Sequence, residues 1–182
     1  MDADVVSTAD DAPRVAGIAS LPGILALVQA AYRGPSARAG WTSEADLVDG
    51  SRTDAGLVRG LLVSVHDAVL IAGGRAEPSA CCAVGLHDGR ASFGMFAVRP
   101  GGQGRGTGAA VLCAAEEHVR HRWDADALHL SVIGVRHELI AWYERRGYVR
   151  TGETEPFPYG DERYGRPRRD DLELVVLRRA LG

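Results

Sequence analysis

The sequence predicts a mixed α/β fold of the α+β kind, with a central mixed β-sheet and helices on both of its faces. An apolar, strand-like run over residues 91–98 leads through the glycine-rich stretch QGRGTG at 103–108 into a helix-like run over 109–122, and another strand-like run follows over 128–133. A strand–helix–strand unit of this length lays two strands parallel with the helix packed across them. Ahead of it stand three runs rich in Val, Leu and Ile, at residues 57–65, 68–73 and 79–86, separated by Asp67, Gly73, Gly74 and Pro78. They read as an antiparallel meander of strands. With 182 residues the chain is long enough for one well-buried core and short for two, so residues 1–182 are expected to form one domain.

The elements follow in order from local signals. A short first strand is expected over residues 5–8, then turn and cap residues Asp10, Asp11 and Pro13, then a helix over 22–32. Pro22 suits a first helical turn, where its missing N–H costs nothing, and Gly34 with Pro35 ends the helix. Residues 42–48 begin with Thr42 and carry Glu44 near the third helical position, the pattern of a capping box, so a second short helix is expected there. The meander comes next. His87, Asp88, Gly89 and Arg90 place Asp-Gly at the centre of a hairpin turn. After the strand at 128–133, a helix over 137–146 stops at Gly147, a residue that readily takes the left-handed conformation beyond a helix end. Residues 148–151 and 172–177 supply the last strands around a long loop rich in Pro, Tyr and charge.

The glycine-rich junction carries the most chemistry. Gly104, Gly106 and Gly108 let the main chain approach an anion without intervening Cβ atoms, at a helix start where free N–H groups and the positive end of the helix dipole favour a pyrophosphate. A nucleotide-bearing cofactor is therefore expected. A P-loop is excluded, because that motif needs a lysine and all 21 basic Lys+Arg positions here are arginine. A dinucleotide fingerprint fits poorly: residues 99–103 intervene between the strand and the first motif glycine, and the next strand ends in Gly134 rather than in an acidic residue that would hold a ribose.

The stretch from Val98, Arg99 and Pro100 to Gly108 resembles the acyl-CoA signature of the GNAT superfamily of N-acyltransferases, Gln/Arg-x-x-Gly-x-Gly/Ala after a strand ending in Val-x-Pro. Gln103, Gly106 and Gly108 match its defining positions. Residues 136–148, RHELIAWYERRGY, resemble the second signature of that superfamily, a helix carrying a Tyr shortly before a Gly-aromatic pair; Tyr143, Gly147 and Tyr148 occupy those places. Arg136 stands where an Asn is common and Leu139 where an Ala is common. The resemblance covers about residues 60 to 150. It implies an N-acetyltransferase using acetyl-CoA as cosubstrate, held by Phe96, Ala97 and Val98, by Gln103, Gly104, Arg105, Gly106, Thr107 and Gly108, and by Arg136, at a place where strand neighbours diverge.

Direct transfer to an amine needs an oriented thioester, a neutral amine and a proton for the departing thiolate. Tyr143 is the expected proton donor, since a phenol stays protonated at neutral pH and matches a thiolate in basicity. Some superfamily members place a Glu about six residues ahead of the final Val of the motif strand, where this chain has Ser92. The base is thus left open among Glu44, Asp46 and His87, acting through water. Trp41, Thr42 and Glu44 resemble an acceptor-lining segment, and Tyr159 is expected to close the same pocket. The acceptor is expected to be a primary amine of a small molecule or peptide.

Charge and composition limit the alternatives. A net charge of −3 gives no general attraction to nucleic acid or anionic membrane, and the basic cluster at 163–169 is flanked by Asp161, Glu162, Asp170 and Asp171. Neither nucleic acid nor membrane is expected as a partner; a homodimer stays open. No apolar run reaches about 20 residues, and the acidic residues 1–11 are unlike a signal peptide, so a cytoplasmic protein is expected. Cys81, Cys82 and Cys113 and the six histidines show no ligand spacing, so no metal is expected. Exclusive use of arginine is associated with GC-rich bacterial coding. A non-catalytic acyl-CoA-binding sensor or interaction domain is the alternative function, and a nicotinamide oxidoreductase a weaker third.

Overall fold

The computed structural model describes residues 12–32, 44, 46–161 and 165–182. Among them the sheet has seven strands: β1 (Arg14–Val15), β3 (Asp67–Gly73), β4 (Pro78–His87), β5 (Arg90–Val98), β6 (Ala127–Ile133), β9 (Glu173–Ala180) and β7 (Val149–Pro156), in that spatial order. Every neighbouring pair is antiparallel except β5 and β6, which are parallel. Two short strands, β2 (Val48–Asp49) and β8 (Arg166–Pro167), pair separately. The strand expected over residues 5–8 lies outside the described residues.

Both faces of the sheet centre are buried. On one face Val69, Ile71, Cys81, Ala83 and Ala97 pack under helix α1 (Leu21–Tyr32), with Ile24, Leu27 and Val28 inserted, and under Val58 of helix α2 (Ala55–Val63). On the other, Leu70, Cys82, Val84, Phe93, Leu128 and Leu130 pack against helices α3 (Thr107–Trp123) and α4 (His137–Glu144). The period-2 alternation along β3 therefore feeds two cores, as expected for strands covered on both sides. A smaller cluster of Val48, Ile133, Phe157 and Leu172 seats the β2–β8 ribbon against the end of β6.

Most local signals act as the sequence predicts. Asp88 and Gly89 both take positive φ, 51° and 75°, as a two-residue hairpin matched to strand twist requires. Past α4, Gly147 has φ 85° and the Tyr148 N–H reaches back 3.2 Å to the Tyr143 carbonyl oxygen, a C-terminal cap of the kind that satisfies late helix carbonyls.

Two expectations are corrected. Residues 57–65, expected as a strand, lie largely in helix α2, because the Asp54 carboxylate accepts the Leu57 N–H at 2.9 Å and starts a helix there. Val58, Leu61 and Leu62 then share one face, the i, i+3, i+4 spacing of an amphipathic helix. The helix expected over residues 42–48 is also absent from the described part of that segment. The Glu44 carbonyl accepts the N–H groups of Leu47 and Val48, both at 2.9 Å, in a turn that runs directly into β2.

Gly23 sets how closely α1 approaches the β3–β4 turn. A Cβ there would come within 2.6 Å of the Ala76 carbonyl oxygen and 2.7 Å of that of Arg75. Gly23→Ala is expected to lose about 1–3 kcal/mol of stability in urea unfolding, the usual cost of overpacking. Gly17→Ala, where a Cβ meets nothing within 4 Å, is expected to change little and serves as the control.

Candidate active site

The site begins with a break in the sheet. Parallel pairing of β5 with β6 covers Ala91↔Leu128, Ser92↔His129 and Phe93↔Leu130, and extends no further. On its other edge β5 stays paired with β4 as far as Val98↔Ala80, and the Arg99 N–H continues to the Ser79 carbonyl oxygen at 2.8 Å. A bulge accompanies the change: the register shifts between Cys81 and Ala83, and Met95 takes φ 47°. Such a bulge bends a strand and increases its twist. The backbone of Phe96, Ala97 and Val98 is thereby turned away from β6 and borders an opening.

Two cavities meet at this opening. One, of about 310 Å³, is bounded by Phe96, Ala97 and Val98 on the strand side and by Gln103, Gly104, Gly106 and Gly108 on the loop side. The other, of about 270 Å³, extends across the sheet face past Ser92, His129, Ser131 and Glu155. Tyr32, Phe96, Arg136, Leu139 and Tyr143 line both and form the wall between them.

The loop side combines backbone donors with close packing. Gly106 is the residue before α3 and has φ 85°, and a Cβ there would enter open space. Gly108 sits differently: a Cβ would lie 3.1 Å from Phe96 Cζ and 3.3 Å from Val98 Cγ2, so its absence lets the first turn of α3 press on β5. The first-turn N–H groups of a helix have no partner within it, and at this helix start Gly106 and Gly108 line the cavity. Arg146, on the rim, stacks its guanidinium 3.6 Å from the Trp142 ring centre and donates to the Trp142 carbonyl. Arg105 and Thr107 lie outside the cavity lining.

Tyr143 is buried at 3% exposure among the rings of Phe93, Phe96, Trp142 and Tyr148. Burial is the main cause that pushes its phenol well above the usual value, with the neighbouring Tyr32 adding to it and Arg136 opposing. It is therefore a proton donor throughout the neutral range. Tyr148, the other motif tyrosine, serves the scaffold instead. Its hydroxyl donates to Glu116 Oε1 at 3.0 Å, and Arg179 grips both Glu116 oxygens at 2.9 Å.

Arg136 is joined to the partition. Its Nη1 donates to Glu44 Oε1 at 2.9 Å, both side chains are over nine-tenths buried, and Arg52 approaches the other Glu44 oxygen at 3.5 Å. Both guanidinium groups lie over the Tyr32 ring, at 5.9 and 5.3 Å from its centre. Glu44 thus faces the second cavity as a carboxylate neutralised by two cations. Tyr32 donates its hydroxyl to the Phe96 carbonyl and so ties α1 to the bulged strand. No local motif marks Tyr32, Trp142 or Arg146; their roles come from packing.

Other expected residues are placed elsewhere. Trp41 and Thr42 lie outside the described residues. Tyr159 does not line either cavity; it meets edge-on the ring of Phe157, which does, and its hydroxyl accepts the Leu172 N–H at 2.7 Å. His87 is at the hairpin end of β4, paired with Asp67 at 2.8 Å, away from both cavities. Among the described residues no cluster of three His, Cys, Asp or Glu could hold a metal ion, and no helix is long and apolar enough to cross a membrane.

A split parallel strand pair, a glycine-rich helix start and a buried tyrosine thus meet at one opening. The acetyltransferase (GNAT) family profile matches residues 35–148, and the chain belongs to that family. Solved structures agree on the fold. The ribosomal-protein-S18-alanine N-acetyltransferase from Escherichia coli is 16% identical, with 93% of each chain covered and a TM-score of 0.67. An N-acetyltransferase from Staphylococcus aureus Mu50 is 10% identical, covering 93% of this chain and 96% of that one, with a TM-score of 0.69. Nourseothricin acetyltransferase is 21% identical over 65% of this chain and 67% of its own, with a TM-score of 0.54. No curated protein matches the sequence.

Gly106→Asp tests the loop. Asp tolerates the left-handed conformation better than most residues, and its carboxylate suits a helix N-terminus, so the fold is expected to survive. The same charge repels a pyrophosphate. Calorimetry is expected to show acetyl-CoA binding by the parent protein and none by the variant; equal binding by both would remove this loop from the cofactor site.

Proposed function

We propose that the protein is an N-acetyltransferase in which one domain brings acetyl-CoA and a primary amine, of a small molecule or a peptide, to opposite sides of the Tyr143–Arg136 partition. The observation that carries this reading is the position of Tyr143, buried, protonated and shared by two cavities that meet where β5 leaves β6. Phe96, Ala97, Val98, Gln103, Gly104, Gly106 and Gly108 would hold the cosubstrate. When bound, acetyl-CoA supplies the electrophilic thioester carbon. The chain's own part is orientation, exclusion of water and proton handling. Backbone groups of the splayed strand align the pantetheine arm, the aromatic cluster dries the thioester side, and Tyr143 delivers a proton to sulfur as the C–S bond breaks. No protein nucleophile is needed, and the buried thiols argue against one: Cys81 is pushed up to about 12 by burial, and Cys82 is raised as well.

The acceptor cavity supports a polar amine. Besides Glu44 and its two arginines it presents Ser92, His129, Ser131 and Glu155, and it opens along the exposed face of the sheet. The solved relatives include enzymes whose names specify a ribosomal-protein alanine and nourseothricin, so both acceptor kinds belong in the test. Release of free CoA thiol from acetyl-CoA is to be followed with spermidine, nourseothricin, amino acid amides and an alanine-leading peptide. Turnover with any of them supports the reading. Binding of acetyl-CoA with no turnover across the panel favours an acyl-CoA sensor.

Tyr143→Phe keeps the ring and removes the proton. The expected result is an acetyl-CoA affinity within a few fold of the parent and a turnover slower by roughly 10²-fold or more, the scale for losing a positioned general acid. Because burial raises the phenol, no loss of activity from Tyr143 ionisation is expected up to pH of about 10. Equal turnover by both proteins would reduce Tyr143 to packing.

A further inference from the structure

The imidazole of His129 faces the acceptor cavity in a form ready to take a proton. On β6 it lies directly beside Ser92 of β5, and parallel register puts both side chains on the same face of the sheet. Ser131 follows two residues along on that face and donates to Glu155 at 2.8 Å. These residues border the same cavity as Tyr143, whose volume of about 270 Å³ accommodates an amine together with water, each water needing about 30 Å³.

The tautomer is set by the backbone. His129 Nδ1 lies 3.2 Å from the Ala91 carbonyl oxygen, which can only accept, so the ring proton resides on Nδ1 and the lone pair on Nε2. Burial is the first cause that holds the imidazole below its ordinary value of 6.5; Arg90 on β5 and Arg178 on β9 act in the same direction, while the Ala91 carbonyl and Glu153 on β7 oppose them. The ring is therefore neutral at physiological pH. The competing carboxylates are less suited. Glu44 is neutralised by Arg136 and Arg52, and Glu155 accepts the Ser131 hydroxyl at the exposed edge strand.

We infer that His129 is the general base of the transfer, its Nε2 taking a proton from the acceptor ammonium through cavity water. This rests on the acyltransferase reading. The protons balance as follows. The ammonium gives one proton to Nε2, which passes it to solvent. The neutral nitrogen forms the C–N bond as the C–S bond breaks. Tyr143 gives its proton to sulfur, and the second proton leaving nitrogen restores the phenol. One acetyl group moves and one proton is released overall.

The test compares the parent protein with His129→Gln and His129→Ala, using acetyl-CoA and, as acceptor, whichever amine of the panel (spermidine, nourseothricin, an amino acid amide or the alanine-leading peptide) is turned over. Calorimetry with acetyl-CoA checks that each variant keeps its fold and cofactor site. In the parent, kcat/KM for the amine is expected to fall as pH drops through a midpoint below about 6.5, because protonation of Nε2 removes the base. In His129→Gln it is expected to be lower by roughly 10²-fold at neutral pH and to climb steadily toward the amine's own pKa, since only amine already neutral in solution can react. Added imidazole is expected to restore rate to His129→Ala in proportion to its neutral form, which a merely structural residue would not allow. Unchanged rates and pH profiles in both variants would overturn the base assignment alone. Absence of transfer to every amine of the panel by the parent would overturn the acyltransferase reading and this inference with it.

Discussion

Parallel pairing between β5 and β6 ends at Phe93 and Leu130, and the site depends on what happens to the backbone beyond that point. Left unpaired and buried, those N–H and carbonyl groups would cost free energy comparable to lost hydrogen bonds. Here they border a cavity, and part of the need is met internally, since the Phe96 carbonyl accepts the Tyr32 hydroxyl. A ligand with an amide-bearing arm can satisfy the rest by extending the sheet. In the proposed reading, cofactor recognition and strand separation are one feature.

Keeping the strands apart takes support from both sides. On the α4 side, Tyr143, Trp142 and Phe96 fill the gap with rings whose centres lie 5.0–6.4 Å apart, close enough for the edge-on and tilted contacts that aromatic pairs prefer. Tyr148 anchors this cluster below through Glu116 and Arg179. Across the opening, Arg136 at the start of α4 reaches Glu44, and Arg136 and Arg52, the two cations on that carboxylate, lie over the Tyr32 ring of α1. Breaking such a buried ion pair by removing one partner leaves an uncompensated charge, which is far costlier than losing an exposed pair. The same residues therefore hold the wedge open and form the wall between the two cavities.

What the sequence made legible was local chemistry. Gly106 before a helix, Asp88-Gly89 in a hairpin and Gly147 after Tyr143 each impose a backbone conformation that few other residues accept, and each is found as expected. The strand assignment at residues 57–65 failed because apolar content outweighed the Asp54 cap that starts α2. The β2–β8 ribbon was invisible for a different reason: two-residue strands joining Val48 to Pro167 carry no periodic signal. The second cavity was the least legible part. Glu44 meets Arg136 across 92 positions, Tyr32 meets Phe96 across 64, and His129 gains its setting only from its register beside Ser92. Such pairings come from topology, and no short motif encodes them.

Hydrogen exchange read amide by amide, with and without acetyl-CoA, addresses the strand separation most directly. Bound cosubstrate is expected to slow exchange at Phe96, Ala97 and Val98 and at the first-turn amides of α3 from Thr107 onward, while the paired segment of β5 at Ala91, Ser92 and Phe93 changes little. Protection spread evenly over β5, or confined to another surface while those amides keep their free-state rates, would contradict the account.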